Sequence, residues 1–451
     1  MRAAIYTLGC KVNQYETQAL EKLLRERGHE VTDVSQDADA YIINTCAVTA
    51  VSGQKSRQAA RRIQREHPDA AIALCGCYVQ TEPDAARALG VDLISGTGDR
   101  LGFVALLEEI VEKRKGAETR PTGQITDNSE EYPATEQRRA LEALDDARKR
   151  REFELLPAGG LSGRTRAMLK VEDGCDNFCS YCVIPYARGP VRSEPLPDAV
   201  RQARELADSG AREIVLTGIE ISSWGRDFHN AQTLTDLTEA LCAAVPEVRI
   251  RLGSLEPRTV TEDFCRRLSA FPNLCPQFHL SLQSGCDETL KRMRRRYDTA
   301  RYLQSVELLR RFFDRPAVTT DLITGFPEET DDEFSRTLDF IRRCGFARMH
   351  IFPYSARLGT PAAQKPQVPK AVKEERAARA NVIASEMRAA YLKECVGETY
   401  AVLFERERGG MFHGHAPNYA DVSAQGSGLH NEIRDVKIVS SDGETLYGEL
   451  V

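Results

Sequence analysis

At 451 residues the chain is too long for one hydrophobic core, so roughly two to four domains are expected. A composition 41% hydrophobic and 28% charged is that of a soluble globular protein, and a net charge of −6 speaks against a wholly basic nucleic-acid binder. No apolar run reaches the length of a membrane span and MRAAIYTLGC reads as a first strand rather than a signal peptide, so a cytoplasmic location is expected.

Residues 1–112 alternate short apolar runs (AAIYTL, AYIIN, AIALC, VDLIS) with helical patterns, which predicts an open parallel α/β sheet. Asn13 followed by Glu16 reads as a helix N-cap with its reciprocal partner, placing a helix just past Cys10. Cys10, Cys46 and Cys77 each fall just beyond the end of a predicted strand. Such ends converge on the ligand crevice of an open α/β sheet, where three thiols could hold an iron–sulfur cluster with one iron open. The plainer alternative is three independent small core residues. Cys75 lies on the strand itself, and Cys77 is preferred because Gly76 makes a turn that frees it.

Residues 113–164 carry no sustained apolar period and read as a linker, within which ATEQRRALEALDDARKRREFELL could form an exposed charged helix. From 165 to 394 six strand candidates recur: RAMLKV, EIVLTG, VRIRLGS, FHLSLQS, VTTDLITG and RMHIFPYS. Amphipathic helices at 197–209, 233–244 and 300–313 separate them, and one long helix closes the region at 370–394. The expectation is a partial (βα)6 TIM-like barrel with its function on the loops after the strands. The first such loop holds Cys175, Cys179 and Cys182 as C-x-x-x-C-x-x-C. Three thiolates on a tight loop suit three corners of a four-iron cluster. Zinc would want a fourth nearby ligand, and His229 is remote; a redox dithiol would not need Cys175. Phe178 and Tyr181 are expected to shield the cluster. The other seven cysteines read as buried spectators.

Residues 395–451 predict a small antiparallel, barrel-like β-module. Its 4 basic residues face 9 acidic ones from 396 onward, so the rest of the chain is nearly neutral. Two basic runs, Lys55 to Arg65 and Lys291 to Arg296, are either solvated helix faces or a nucleic-acid surface.

The quoted motifs resemble the radical S-adenosylmethionine methylthiotransferases over nearly the whole chain. GCKVNQYE, NTC and GCY are similar to that family's three-cysteine domain. CDNFCSYCVIPYARGPVRS, SLQSGCDETLKRMRRRY, TDLITGFPEET and FPYSARLGTPA are similar to its radical domain. GHAPNY and NEIRDVKI are similar to the RNA-binding TRAM domain, with Ala416 where a threonine is expected. GCKVNQYE further resembles the branch acting on N6-threonylcarbamoyladenosine at position 37 of tRNA.

That resemblance implies two [4Fe–4S] clusters. One, on Cys175, Cys179 and Cys182, would bind and reductively cleave S-adenosylmethionine, giving a radical that takes hydrogen from C2 of the adenine. The other, on Cys10, Cys46 and Cys77, would supply sulfur, methylated by a second S-adenosylmethionine. Gly218 and Glu220 look like the element near the methionine end of that cofactor, and Tyr181 is grouped with the cofactor residues. Ser281 and Gln283 alternate on one strand face as inward barrel residues should, though packing alone explains that too. Asp321 could bond a ribose or serve as a core aspartate. Arg188 and Arg192 flank a Gly-Pro turn suited to RNA phosphates, Tyr186 is a stacking candidate, and Arg434 and Lys437 are basic positions in the tail. The implied partners are the anticodon loop of tRNA and an electron donor such as flavodoxin or ferredoxin, with no DNA and no membrane. Two competing readings are a methylthiotransferase for another adenosine-37 derivative or a ribosomal-protein side chain, and a non-enzymatic iron–sulfur RNA-binding protein.

Overall fold

The computed structural model describes residues 1–118, 140–159 and 165–451. They gather into two compact units: 1–118, 140–150, 154–159 and 183–190 in the first, and 151–153, 165–182 and 191–451 in the second.

The first unit is built on a six-stranded parallel sheet. In spatial order its strands are Glu30–Thr32, Arg2–Thr7, Ala40–Thr45, Ala71–Gly76, Leu93–Ser95 and Leu141–Ala143. AYIINT and AIALCG are buried at every position, as central strands covered on both faces must be. On one face Ala40 and Ile42 pack with Leu20 and Leu24 of the helix Lys11–Glu26 and with Phe103 and Leu107 of the helix Arg100–Glu118. On the other, Tyr41 and Ile43 pack with Ala60 and Ile63 of the helix Ala50–Glu66. Burial of each large apolar side chain contributes about 1.5–3 kcal/mol. Chain order reverses between Arg2–Thr7 and Ala40–Thr45, so the crevice of this sheet opens beyond the C-terminal ends of those two strands.

Two strands here lie outside the sequence expectation. Glu30–Thr32 is short and polar, and Leu141–Ala143 falls in the stretch read as a linker. Edge pairing with Leu93–Ser95 supplies the backbone partners that Leu141–Ala143 lacks by itself. The charged helix expected at 134–156 is not what its described part forms: past the strand there is only one 3-10 turn, Ala147–Lys149. Residues 134–139 lie outside the described residues.

Seven parallel strands are found among the described residues of the second unit, because the single expected strand VRIRLGS is split into Arg249–Arg251 and Ser254–Leu255. Arg166–Lys170, Glu213–Thr217 and Arg249–Arg251 form one sheet; Ser254–Leu255, Gln277–Leu280, Ala317–Thr324 and Arg348–Pro353 form the other. Only Leu252 and Gly253 separate the two sheets along the chain, so they continue one another as the expected partial barrel of six (βα) steps. The helices Leu196–Asp208, Leu234–Ala244 and Thr299–Phe312 occupy the predicted places, and Lys370–Glu394 is the closing helix.

The tail closes into a five-stranded barrel, with one departure from the expected antiparallel order: Val422–Ala424 runs parallel to Leu446–Gly448. GHAPNY serves to fasten it. Arg251, paired with buried Glu213 at 2.7 Å, donates to the Pro417 carbonyl at 3.0 Å and lies over the Tyr419 ring at 4.6 Å. Arg166 donates to the Tyr419 hydroxyl at 2.7 Å.

Candidate active site

In the first unit Cys10 immediately precedes the helix Lys11–Glu26, Cys46 follows the strand Ala40–Thr45, and Cys77 follows Ala71–Gly76 as the first residue of the helix Cys77–Thr81. The first two flank the reversal in strand order. Cys10 is exposed, whereas Cys46 and Cys77 are buried. Each thiol interacts electrostatically with another of the three: Cys10 with Cys46, Cys46 with Cys77, and Cys77 with Cys10. Burial pushes the Cys46 and Cys77 thiols up, and the Arg188 charge pulls both back.

Small residues leave room around the sulfurs. Gly9 has φ +106°, and a Cβ there would stand 2.8 Å from Cys46 Cβ and 2.9 Å from its Sγ. Gly76, at φ +98°, would press a Cβ to 2.6 Å from the Thr45 carbonyl. Both positions therefore require glycine. Cys75, by contrast, sits on the strand, and burial pushes its thiol to about 11.

Asn13 and Glu16 do not cap the helix. The helix starts at Lys11, and both side chains are buried inside it. Asn13 Nδ2 donates to the Leu8 carbonyl at 2.7 Å and the Thr45 carbonyl at 2.9 Å, tying the Cys10 loop to the Cys46 loop. Glu16 pairs with Arg100 at 2.8 Å and with Arg188. Arg188, read from sequence as a phosphate ligand, is fully buried; its Nε donates to Cys77 Sγ at 3.3 Å and its Nη2 to Asn13 Oδ1 at 3.0 Å. A guanidinium so enclosed has no face left for RNA.

In the second unit Cys175, Cys179 and Cys182 occupy the loop after Glu172–Asp173, closed by a Cys182 N–H to Cys179 carbonyl bond of 3.0 Å. Phe178 is in the left-handed region (φ +46°) and is 46% exposed, so it does not provide the expected shield. Tyr181 is partly buried against the cluster of Met293, Phe326, Tyr354 and Ala362. The loop is laced to two of the other motifs: Ser180 Oγ donates to the Arg292 carbonyl at 2.7 Å, and Ala362 N–H to the Ser180 carbonyl at 2.8 Å. Arg295 Nη1 donates to Cys179 Sγ at 3.2 Å. Arg192, also expected to reach RNA phosphates, does not face outward. It is buried and pairs with Asp173 at 3.5 Å, which accepts from Gly174 N–H at 2.9 Å, so it braces the loop instead of facing RNA.

Gly218 and Glu220 meet this loop. The Glu220 N–H donates to Glu172 Oε2 at 2.7 Å, and a Cβ at Gly218 would stand 2.8 Å from the same oxygen. Asn177 Nδ2 lies 3.4 Å from Glu220 Oε2. Burial raises the carboxyls of both Glu172 and Glu220, and each has an Oε1 that is buried without a hydrogen-bond partner. Two carboxyls with orphaned oxygens beside three thiols suit a bound ammonium group, whose positive charge would draw them back to the ionised form.

Further along the strands, Ser281 accepts from the Tyr297 hydroxyl through its backbone carbonyl. Gln283, at φ +66°, donates its N–H to the Asp321 carbonyl at 2.9 Å. The Asp321 carboxylate pairs with His279 at 3.2 Å, and His350 lies 6.2 Å from the His279 ring. Ser281 and Gln283 lie beyond the end of the strand Gln277–Leu280 and so do not alternate on one strand face as expected; His279, inside that strand, was missed in sequence although it stands two residues before Ser281.

The remaining RNA candidates are surface residues. Tyr186 is 44% exposed. Arg434 pairs with Glu432 at 3.4 Å, and Lys437 donates to the Gly397 carbonyl. Arg406, Arg408 and His413 line a cleft of about 140 Å³ that Arg434 and Lys437 do not line. In the run 291–296, Arg292 is taken up by Glu333 at 2.7 Å and Arg295 by Cys179, leaving Lys291, Arg294 and Arg296 exposed. The seven cysteines read as spectators are all buried. Among the described residues no three His, Cys, Asp or Glu side chains converge as ligands of a single ion, and no helix is long and apolar enough to cross a membrane.

Residues 2–96 match the uncharacterized protein family UPF0004, and residues 169–341 match the radical SAM superfamily. The chain is 36% identical to the threonylcarbamoyladenosine tRNA methylthiotransferase MtaB of Bacillus subtilis, over 99% of this chain and 96% of that protein. It is 33% identical to MtaB of Thermotoga maritima, over 89% and 86% of the two chains. A tRNA-2-methylthio-N(6)-dimethylallyladenosine synthase from Cereibacter sphaeroides is 31% identical, over 99% and 97%. Among solved structures, the radical S-adenosylmethionine methyltransferase TsrM from Kitasatospora setae, with cobalamin and a [4Fe–4S] cluster bound, shares the fold. Its TM-score is 0.55 at 15% identity, covering 91% of this chain and 77% of that one. The chain belongs to the MtaB family of radical S-adenosylmethionine methylthiotransferases.

Proposed function

We propose that the protein methylthiolates C2 of N6-threonylcarbamoyladenosine at position 37 of tRNA, using S-adenosylmethionine and two [4Fe–4S] clusters. The observation that carries this reading is a pair of three-cysteine sites, one in each unit, in a chain alike over its full length to a threonylcarbamoyladenosine tRNA methylthiotransferase. C2–H of adenine is unactivated, so no acid–base pair of side chains could functionalise it. When bound, the clusters and S-adenosylmethionine supply the electron, the hydrogen-abstracting radical, the sulfur and the methyl group.

The chain's own residues bind and orient. Cys175, Cys179 and Cys182 would hold one cluster and Cys10, Cys46 and Cys77 the other, with three thiolates for each. Glu172 and Glu220 receive the ammonium of S-adenosylmethionine through their orphaned oxygens, and Gly218 keeps the approach clear. His279 and Asp321 are the paired polar groups further along the inner strand faces, placed for ribose or base contacts. In the first unit, Tyr186 and the exposed basic residues of Ala50–Glu66 offer a stacking ring and phosphate partners to the tRNA. A flavodoxin or ferredoxin delivers the electron, in the cytoplasm.

Nucleoside analysis of tRNA from cells lacking the protein tests the reading. Loss of the 2-methylthio form of threonylcarbamoyladenosine, restored by the wild-type chain, is expected. An unchanged profile would reject it, and loss of the methylthiolated dimethylallyl nucleoside instead would move the substrate to the other branch.

A further inference from the structure

Arg188 carries the one guanidinium in the first unit that touches a candidate cluster sulfur, among the described residues. Its surroundings are a polar network. Glu16 accepts from both Arg188 and Arg100, Asn13 Oδ1 accepts from Arg188 at 3.0 Å, and Arg100 Nη1 donates to the Gly96 carbonyl at 3.1 Å. All four side chains are essentially excluded from solvent. Glu154 also accepts from the Arg100 backbone N–H, so Arg100 has a second carboxylate beside it, while the Arg188 guanidinium lies against Cys77. A buried guanidinium bonded to a sulfur is stabilised by negative charge on that sulfur.

A [4Fe–4S] core in its oxidised resting state, held by three thiolates, carries one net negative charge. Placed on Cys10, Cys46 and Cys77 it would put that negative charge beside the Arg188 guanidinium. We infer that Arg188 is a positioning residue of the auxiliary cluster, donating to the Cys77 sulfur and supplying the countercharge that sets the cluster's reduction potential, with Glu16 as its moderator. The inference rests on the proposed assignment of that cluster to Cys10, Cys46 and Cys77. Hydrogen bonds to cluster sulfurs and nearby net charge are the protein's main means of tuning such a potential. A positive charge favours the more negative, reduced state, so removing it lowers the potential, and removing the Glu16 carboxylate raises it.

The test uses the full chain with Cys175→Ala, Cys179→Ala and Cys182→Ala, anaerobically reconstituted, so that a single cluster is read by EPR during reductive titration. About four irons per chain are expected in this parent. Adding Arg188→Gln should shift the midpoint to more negative potential at unchanged iron content, Arg188→Lys should remain near the parent, and Glu16→Gln should shift it the other way. Four irons with an unmoved potential in Arg188→Gln would overturn the role of Arg188 alone. A parent that binds no iron would overturn the cluster assignment and this inference with it. Should Arg188→Gln fail to fold, the opposite-sign shift in Glu16→Gln decides, and its absence counts against the proposal.

Discussion

Asn13 Nδ2 donates to the Thr45 carbonyl at 2.9 Å, so a helix residue three places after Cys10 holds the backbone that presents Cys46. The same nitrogen reaches the Leu8 carbonyl at 2.7 Å, and the Asn13 carbonyl accepts from Asn44 Nδ2 at 3.0 Å. One buried amide therefore sets the spacing of two cysteine loops. Asn13→Ala leaves the buried Thr45 carbonyl and the half-buried Leu8 carbonyl without their donor and should cost about 1–3 kcal/mol of stability. Iron content should fall toward the four held by the other site, while Asn13→Gln, with its longer reach, should also misplace the loops. Iron analysis and thermal melting check both.

Gly9 faces Cys46 closely enough that any side chain must displace the sulfur. Gly9→Ala combines that clash with an unfavourable φ of +106°. The expected result is loss of the auxiliary cluster's iron with the spectrum of the other cluster retained. Full iron loading in Gly9→Ala would show that Cys46 is not a ligand.

Glu220 should matter to cofactor binding and not to cluster assembly. Glu220→Gln keeps the shape and removes the charge that would meet an ammonium, a change worth about 1.5–3 kcal/mol, or roughly ten- to hundredfold in affinity. Equilibrium dialysis with labelled S-adenosylmethionine on the oxidised holoprotein measures it. Iron content should remain that of the wild type.

Glu194 predicts a pH dependence. Burial pushes its carboxyl up to about 8 from an ordinary 4.5, and its partner Gln202 donates to only one of its oxygens, at 2.9 Å. The folded chain thus keeps a proton that the unfolded chain loses between pH about 4.5 and about 8. Across that window the unfolded state binds fewer protons, so stability falls as pH rises and levels off above the folded value. Melting temperatures from pH 5 to 8 should decline in the wild type and decline less in Glu194→Gln.

The architecture was legible because its signals are local. Strand-length apolar runs, helix periods and the C-x-x-x-C-x-x-C spacing all survive in sequence, and the placement of Cys10, Cys46 and Cys77 past three strand ends follows from them. What sequence could not supply was tertiary satisfaction of polar groups. Asn13 and Glu16 have the spacing of a capping pair, but the same spacing serves two buried side chains one turn apart, and their partners Thr45, Arg100 and Arg188 are remote in the chain. Arg188, Arg192 and Arg295 sit in basic, turn-rich stretches that read as surface, yet each is held by a sulfur or a carboxylate. Leu141–Ala143 has no strand signal of its own and is a strand only because the edge of Leu93–Ser95 was open to it.

Two cubanes on six cysteines is the claim on which the chemistry stands. Iron and sulfide analysis of the anaerobically purified wild-type chain addresses it most directly. About eight irons and eight sulfides per chain are predicted, falling to about four of each in Cys77→Ala. A wild-type value near four, unaffected by Cys77→Ala, would contradict it.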